Sequence, residues 1–171
     1  MLQAMDELDE LWSQKLDEAI ANAHKCGRTD VAEYLTLKAT NDAIRQTSVQ
    51  WLFGALIEIA SVNPRIKIEN EAAHRFDFAK ANMVGSLIRL RQGVRCLTLE
   101  AGWTRTPADG FMRNNALAAA RISHFGMSKR NAELILLRVN ETPQWFSIDE
   151  NNVRSSFDST HLQTHFKIFV T

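Results

Sequence analysis

What most constrains this chain is a single change of hydrophobic period near Pro64. Before it, apolar residues recur at helical spacing. After it, the repeat shortens toward two, the spacing of a strand with one buried face. Such a switch predicts an α+β fold, with two or three N-terminal helices packed on a mostly antiparallel β-sheet formed by the C-terminal half. At 171 residues and 45% apolar content, the chain can bury a sizeable core. It reads as a single domain over 1–171, helical over 1–63 and β-rich over 64–171. Seven Gly, three Pro and two Cys exclude collagen-like, disordered and disulfide-stapled chains.

In the helical half, Met5, Leu8, Trp12, Leu16, Ala19 and Ala23 fall on one stripe. Acidic residues (Asp6, Glu7, Asp9, Glu10) open that segment and Lys25 and Arg28 close it, an order that complements the helix macrodipole. A first helix is expected over about 2–26, stopped at Gly27, with Asp30 and Glu33 opening the next. The stretch 30–61 reads as one long helix or as two joined near Thr40–Asn41. Residues 49–60 are apolar most of the way round, which predicts a central helix packed on both sides, with Trp51 in the core or at a helix–helix interface. Asn63–Pro64 should end it.

In the β-rich half, Ile66–Glu69 and His74–Phe78 alternate. Leu87–Glu100 reads as a hairpin about Gln92–Gly93, which would pair Leu90 with Arg95. One face would carry Ile88, Leu90, Leu97 and Leu99, the other Arg89, Arg91, Cys96, Thr98 and Glu100. Pro107–Gly110 is a turn. The alanines of Asn115–Phe125 favour a helix, with a small-residue strand as the alternative. Glu133–Val139 and Gln144–Ile148 form a second hairpin. A polar loop over 149–160 leads to a last strand in which Phe166, Ile168 and Val170 alternate with His165, Lys167 and Phe169.

Twenty basic and twenty acidic residues cancel, so no global field draws the chain to nucleic acid or a membrane. The charge is nevertheless segregated. Residues 1–50 carry nine acids and five bases, whereas 86–130 carry eight bases, seven of them arginine, and two acids. Arginine suits bidentate contact with phosphate or carboxylate. Arg89, Arg91, Arg95 and Arg105, with Trp103 alongside, are therefore candidates for binding an anion or a partner. The opposing explanation is pairing of the basic middle with the acidic first helix, within one chain or between copies. Trp12 and Trp145 are candidate interface residues.

His161 and His165, at i and i+4, are weak candidates for metal ligands, because the pattern lacks the glutamate of a zincin. His74 and Asp77 in HRFD have no established ligand spacing. Ser123 and His124, being adjacent, cannot act as a nucleophile–base pair. No phosphate loop, nucleophile elbow or dinucleotide fingerprint occurs, and nothing calls for a cofactor. The cysteines, 70 residues apart, read as thiols in a reducing compartment. The acidic N-terminus is unlike a secretory signal, and no apolar run is long enough to span a bilayer. The expectation is a cytoplasmic, non-enzymatic assembly module that self-associates or docks with a protein partner through acidic and basic surfaces. A nucleic-acid or other polyanion binder using 86–130 is the alternative.

Overall fold

The computed structural model describes residues 2–171; the side chains of residues 2–6 and of Leu8 lie outside the described residues, and with them the expected stripe positions Met5 and Leu8. Helices α1 (Leu2–Lys25) and α2 (Thr29–Ser61) form a hairpin. It is followed by β1 (Lys67–Phe78), β2 (Ala81–Gln92), β3 (Arg95–Trp103), β4 (Ala118–His124), β5 (Ala132–Val139), β6 (Thr142–Ile148), β7 (Arg154–Ser156) and a closing helix α3 (Ser159–Val170). The seven strands form one antiparallel sheet in chain order. The fold is α+β, as the period change predicts.

Helix α1 ends at a Schellman motif. Arg28 N–H donates to the Ala23 carbonyl at 2.9 Å and Gly27 N–H to that of His24 at 3.1 Å. Gly27 adopts the left-handed conformation this requires, with φ +71°. The segment after it is one unbroken helix. Thr36 and Thr40 return their hydroxyls to the carbonyls of Ala32 and Thr36, which keeps polar residues inside the helix instead of ending it. Asp30 lies in the first turn of α2, and no side chain caps that helix.

The expectation of a helix packed on both sides fails. Val49, Leu52, Phe53, Leu56 and Ala60 are buried against the sheet, but Trp51 is 44% exposed. The sheet covers only one face of α2, and α3 packs beside it.

Sheet residues alternate between two cores. Ile88, Leu90, Leu97, Leu99, Ala118, Ala120, Ile122, Leu134 and Leu136 face the helices. Phe76, Phe78, Met83, Ala119, Ile135 and Ile148 form a smaller cluster on the opposite face.

The β2–β3 hairpin turns on Gly93–Val94, not on Gln92–Gly93, so Gln92 pairs with Arg95 and Leu90 with Leu97. Gly93 has φ +60° at the first central position, where a type II′ turn needs it. The partner of each residue moves by two places, which preserves side-chain parity, so the expected face assignments survive the wrong register.

Two further expectations are overturned. The segment 115–125 contains strand β4 rather than a helix. Pairing with β3 and β5 satisfies its backbone on both sides, and Ala118, Ala119 and Ala120 are fully buried, Ala118 and Ala120 in the core under the helices and Ala119 in the cluster on the opposite face. Tertiary pairing outweighs alanine's helix propensity here. The C-terminal segment is a helix, not a strand. Asp158 caps it by accepting from the N–H groups of Thr160 and His161. Leu162, Phe166, Phe169 and Val170 then recur at helical spacing against the core.

Candidate functional site

The helical hairpin meets the sheet in a cleft with two chambers. The wider, about 750 Å³, runs from Trp12, Tyr34 and Leu37 to Pro107 and Gly110. The narrower, about 400 Å³, lies between Val49, Phe53 and Ile57 of α2 and Leu87 and Ile88 of β2. Asp9, Ala72, Gly85, Trp103 and Arg105 line both, forming the waist between them.

Small residues shape this cavity. In the β1–β2 ladder, Glu71 pairs with Leu87 and His74 with Gly85, so β1 carries one extra residue, a bulge at Ala72–Ala73 opposite Ser86. Beside it Gly85 faces Gly102. A Cβ on Gly85 would lie 1.9 Å from the Ala101 carbonyl oxygen, so only glycine permits this approach of the two backbones. Bulge and glycine pair leave the floor beneath the helices free of large side chains.

Arg105 stands at the waist. Its guanidinium stacks on the Trp103 indole, 3.8 Å from the ring centroid. The ion-pairing carboxylate, Asp9 Oδ1, is 3.9 Å away, and the guanidinium hydrogen-bonds no acceptor among the described residues. Burial pulls the Arg105 pKa below its usual value, while Asp9 and Asp42 push it back up. The loop is fixed from behind: Arg105 and Thr106 donate their backbone N–H groups to Asp109 Oδ2, both at 2.9 Å, which holds the Asp109 carboxyl below its ordinary range. Across the cleft, Arg45 donates to the Leu117 carbonyl at 2.7 Å and to Asp42 Oδ1 at 2.8 Å.

The other sequence candidates do not join Arg105. Arg89 and Arg91 lie on the sheet face away from α2, where they share Glu69 at 3.6 and 3.3 Å. Lys67, 3.1 Å from Glu69, is the main cause that lowers the carboxyl's pKa, with Arg91 adding to it. Arg95 donates to the C-terminal main-chain oxygen of Thr171 at 2.7 Å. The arginine-rich segment is thus laid out over both faces of the sheet, and Arg105 alone of the four reaches the cleft.

Trp103 is buried beneath Arg105, and Trp12 is 47% exposed at the cleft mouth with Lys38 over its ring. Trp145, in contrast, is 4% exposed and donates its indole N–H to the Ser48 carbonyl, so it belongs to the core and not to a surface. Ordinary apolar burial with one satisfied donor explains it.

The two histidines singled out at i and i+4 go to different partners. His161 pairs with Asp158 at 2.8 Å as part of the α3 cap, and its hydrogen bonds hold the Asp158 carboxyl low. His165 instead turns inward, its Nδ1 2.9 Å from Nε2 of buried His124. Burial, reinforced by the neighbouring histidines, pushes the His165 pKa down to about 4; His124 is lowered too, by burial and then Arg130.

On the opposite sheet face, His74 meets Glu100 at 2.7 Å and Arg121 meets Glu100 at 3.0 Å, while Asp77 points to the other side of β1. Among the described residues no group of three or more His, Cys, Asp or Glu is placed to hold a metal ion. Both cysteines are free, and no described helix is long and apolar enough to cross a membrane.

Sequence reasoning missed the wall formed by Tyr34, Leu37, Asp42 and Arg45, and the His124–His165 pair. The only signal for the pair was that His124 falls on the same strand face as Ile122. No protein-family model, curated protein or solved structure matches this chain.

Proposed function

We propose that this protein is a non-enzymatic interaction module that self-associates, or docks into a larger assembly, through complementary acidic and basic surfaces. The observation that carries this reading is the helical arm. Trp12, Tyr34 and Leu37 lie together at the cleft mouth at 47, 65 and 55% exposure, a concentration of large apolar surface uncommon on a side meant only for water.

Charge supports the same reading. Glu7, Glu10, Asp17 and Glu18 of α1 make no ion pair among the described residues. The arginines of the sheet take their counter-charge from neighbouring strands, at Glu69, Glu100 and Glu133. Arg105 with Asp9 is the one ion pair joining the basic segment to α1 among the described residues. The acidity of α1 therefore remains available to a second copy, whose Arg89–Arg91 face offers the opposite sign.

Light scattering at micromolar concentration tests this. A mass above that of one chain is expected at low salt, falling as salt rises, and the double substitution Trp12→Ser/Leu37→Ser should give the single-chain mass in both. A wild-type protein that already has the single-chain mass at low salt would refute self-association.

A second reading is supported by one feature. Lys67, Arg89 and Arg91 share the single carboxylate Glu69, which leaves two positive charges in excess on an open face that can take a polyanion such as nucleic acid.

A further inference from the structure

We propose that the cleft binds a monocarboxylate with an unbranched apolar tail, its carboxylate on the Arg105 guanidinium and its tail in the narrower chamber. This goes beyond the assembly reading and rests on different atoms.

A guanidinium carries five N–H donors in a fixed fork. That of Arg105 is drawn partly out of water and reaches no described hydrogen-bond acceptor, with Asp9 at 3.9 Å. Removing such a group from water without a partner is unfavourable, whereas a charge-assisted bidentate bond to an oxyanion satisfies it. The Arg105 guanidinium lies over the Trp103 ring, 3.8 Å from its centroid, and lines both chambers of the cleft. The nearby acids select the charge of the guest. Asp9, Asp42 and Glu71 line the same cleft and repel a doubly charged phosphate more strongly than a single carboxylate.

The narrower chamber selects the tail. Val49, Phe53, Ile57, Leu87 and Ile88 give it aliphatic and aromatic walls, and its volume of about 400 Å³ lies in the range of small-molecule sites. Gly54 sits in its α2 wall. A glycine inside a helix is unfavourable, and a Cβ there would meet nothing within 4 Å, so packing does not demand it. The missing side chain keeps the chamber open.

Calorimetric titration with decanoate, below its micelle concentration, and with decanol separates head from tail. Decanoate is expected to bind about tenfold or more tightly than decanol, since decanol lacks the oxyanion. Arg105→Met should weaken decanoate by about tenfold or more while leaving decanol unchanged. Gly54→Leu, which projects into open space, should weaken both ligands without lowering the melting temperature. The proposal is overturned if decanoate gives no saturable binding, if decanol binds as tightly, or if Arg105→Met binds decanoate like the wild type. Loss of self-association in Arg105→Met, with no decanoate binding by the wild type, would also overturn it, assigning the guanidinium to a carboxylate of a second copy.

Discussion

Mild acid should loosen the attachment of α3 before most carboxylates are protonated. The perturbation acts on His165, which is held against His124 between α3 and β4, with Phe157 and His161 beside it. The charges around this pair are chiefly positive when histidines ionise: Arg130 near His124, His161 on the same helix and Arg95 bonded to the C-terminal Thr171, with Asp158 engaged by His161. Among the described residues no side-chain carboxylate offsets charge on either ring.

The His165 pKa falls from 6.5 in the unfolded chain to about 4 in the fold. Between those values the unfolded chain binds more protons than the folded protein, so this contribution is complete above 6.5 and is lost as pH falls toward 4. At about 1.4 kcal/mol per tenfold change in proton affinity, the upper bound is ~3.4 kcal/mol. The ring remains partly open to water, and screening reduces this to roughly 2 kcal/mol.

Urea unfolding followed by circular dichroism, at steps from about pH 7.5 to pH 4, measures the loss; in a chain of this size it corresponds to a melting point lower by about 4–8 °C. His165→Leu removes the titrating ring, and the difference between the two stability curves isolates it from the carboxylates. Identical slopes for wild type and His165→Leu across this window would refute the reasoning.

Two further outcomes follow from the sheet. Gly85→Ala places a methyl carbon against the backbone oxygen of Ala101 and against Gly102 Cα at 2.6 Å, which no side-chain rotation relieves; a loss of about 3 kcal/mol or more in urea unfolding is expected. Any nucleic-acid affinity should fall with rising salt, and Arg89→Ala/Arg91→Ala should reduce the log–log slope by about two; an unchanged slope would remove the second reading of function.

Local chemistry made much of the helical half legible. The Gly27 stop and the helix end before Pro64 depend on residues within a few positions of each other, whereas the pattern leaves open whether 30–61 is one helix or two. The β2–β3 faces were legible for a similar reason: alternation fixes which side a residue faces even when the turn is misplaced by one. The cleft was only partly visible. Arg105, with Trp103 alongside, is one candidate among four, but Arg89, Arg91 and Arg95 are named on the same ground, as arginines of a basic segment, and belong elsewhere. Which arginine meets water, a carboxylate or a cavity depends on strands distant in sequence.

The sequence by itself determined the α+β class and the order of helices before sheet, because side-chain periodicity is a local property of the backbone. Tertiary structure alone decided that three consecutive alanines lie in strand β4, since both neighbouring strands supply its hydrogen bonds and the methyl groups are buried on both faces of the sheet. It also decided that the last segment coils onto the core and meets His124, and that a bulge and two facing glycines open a cavity under Arg105. Each of these arises where backbones far apart in the chain approach closely, and a linear pattern carries no measure of that distance.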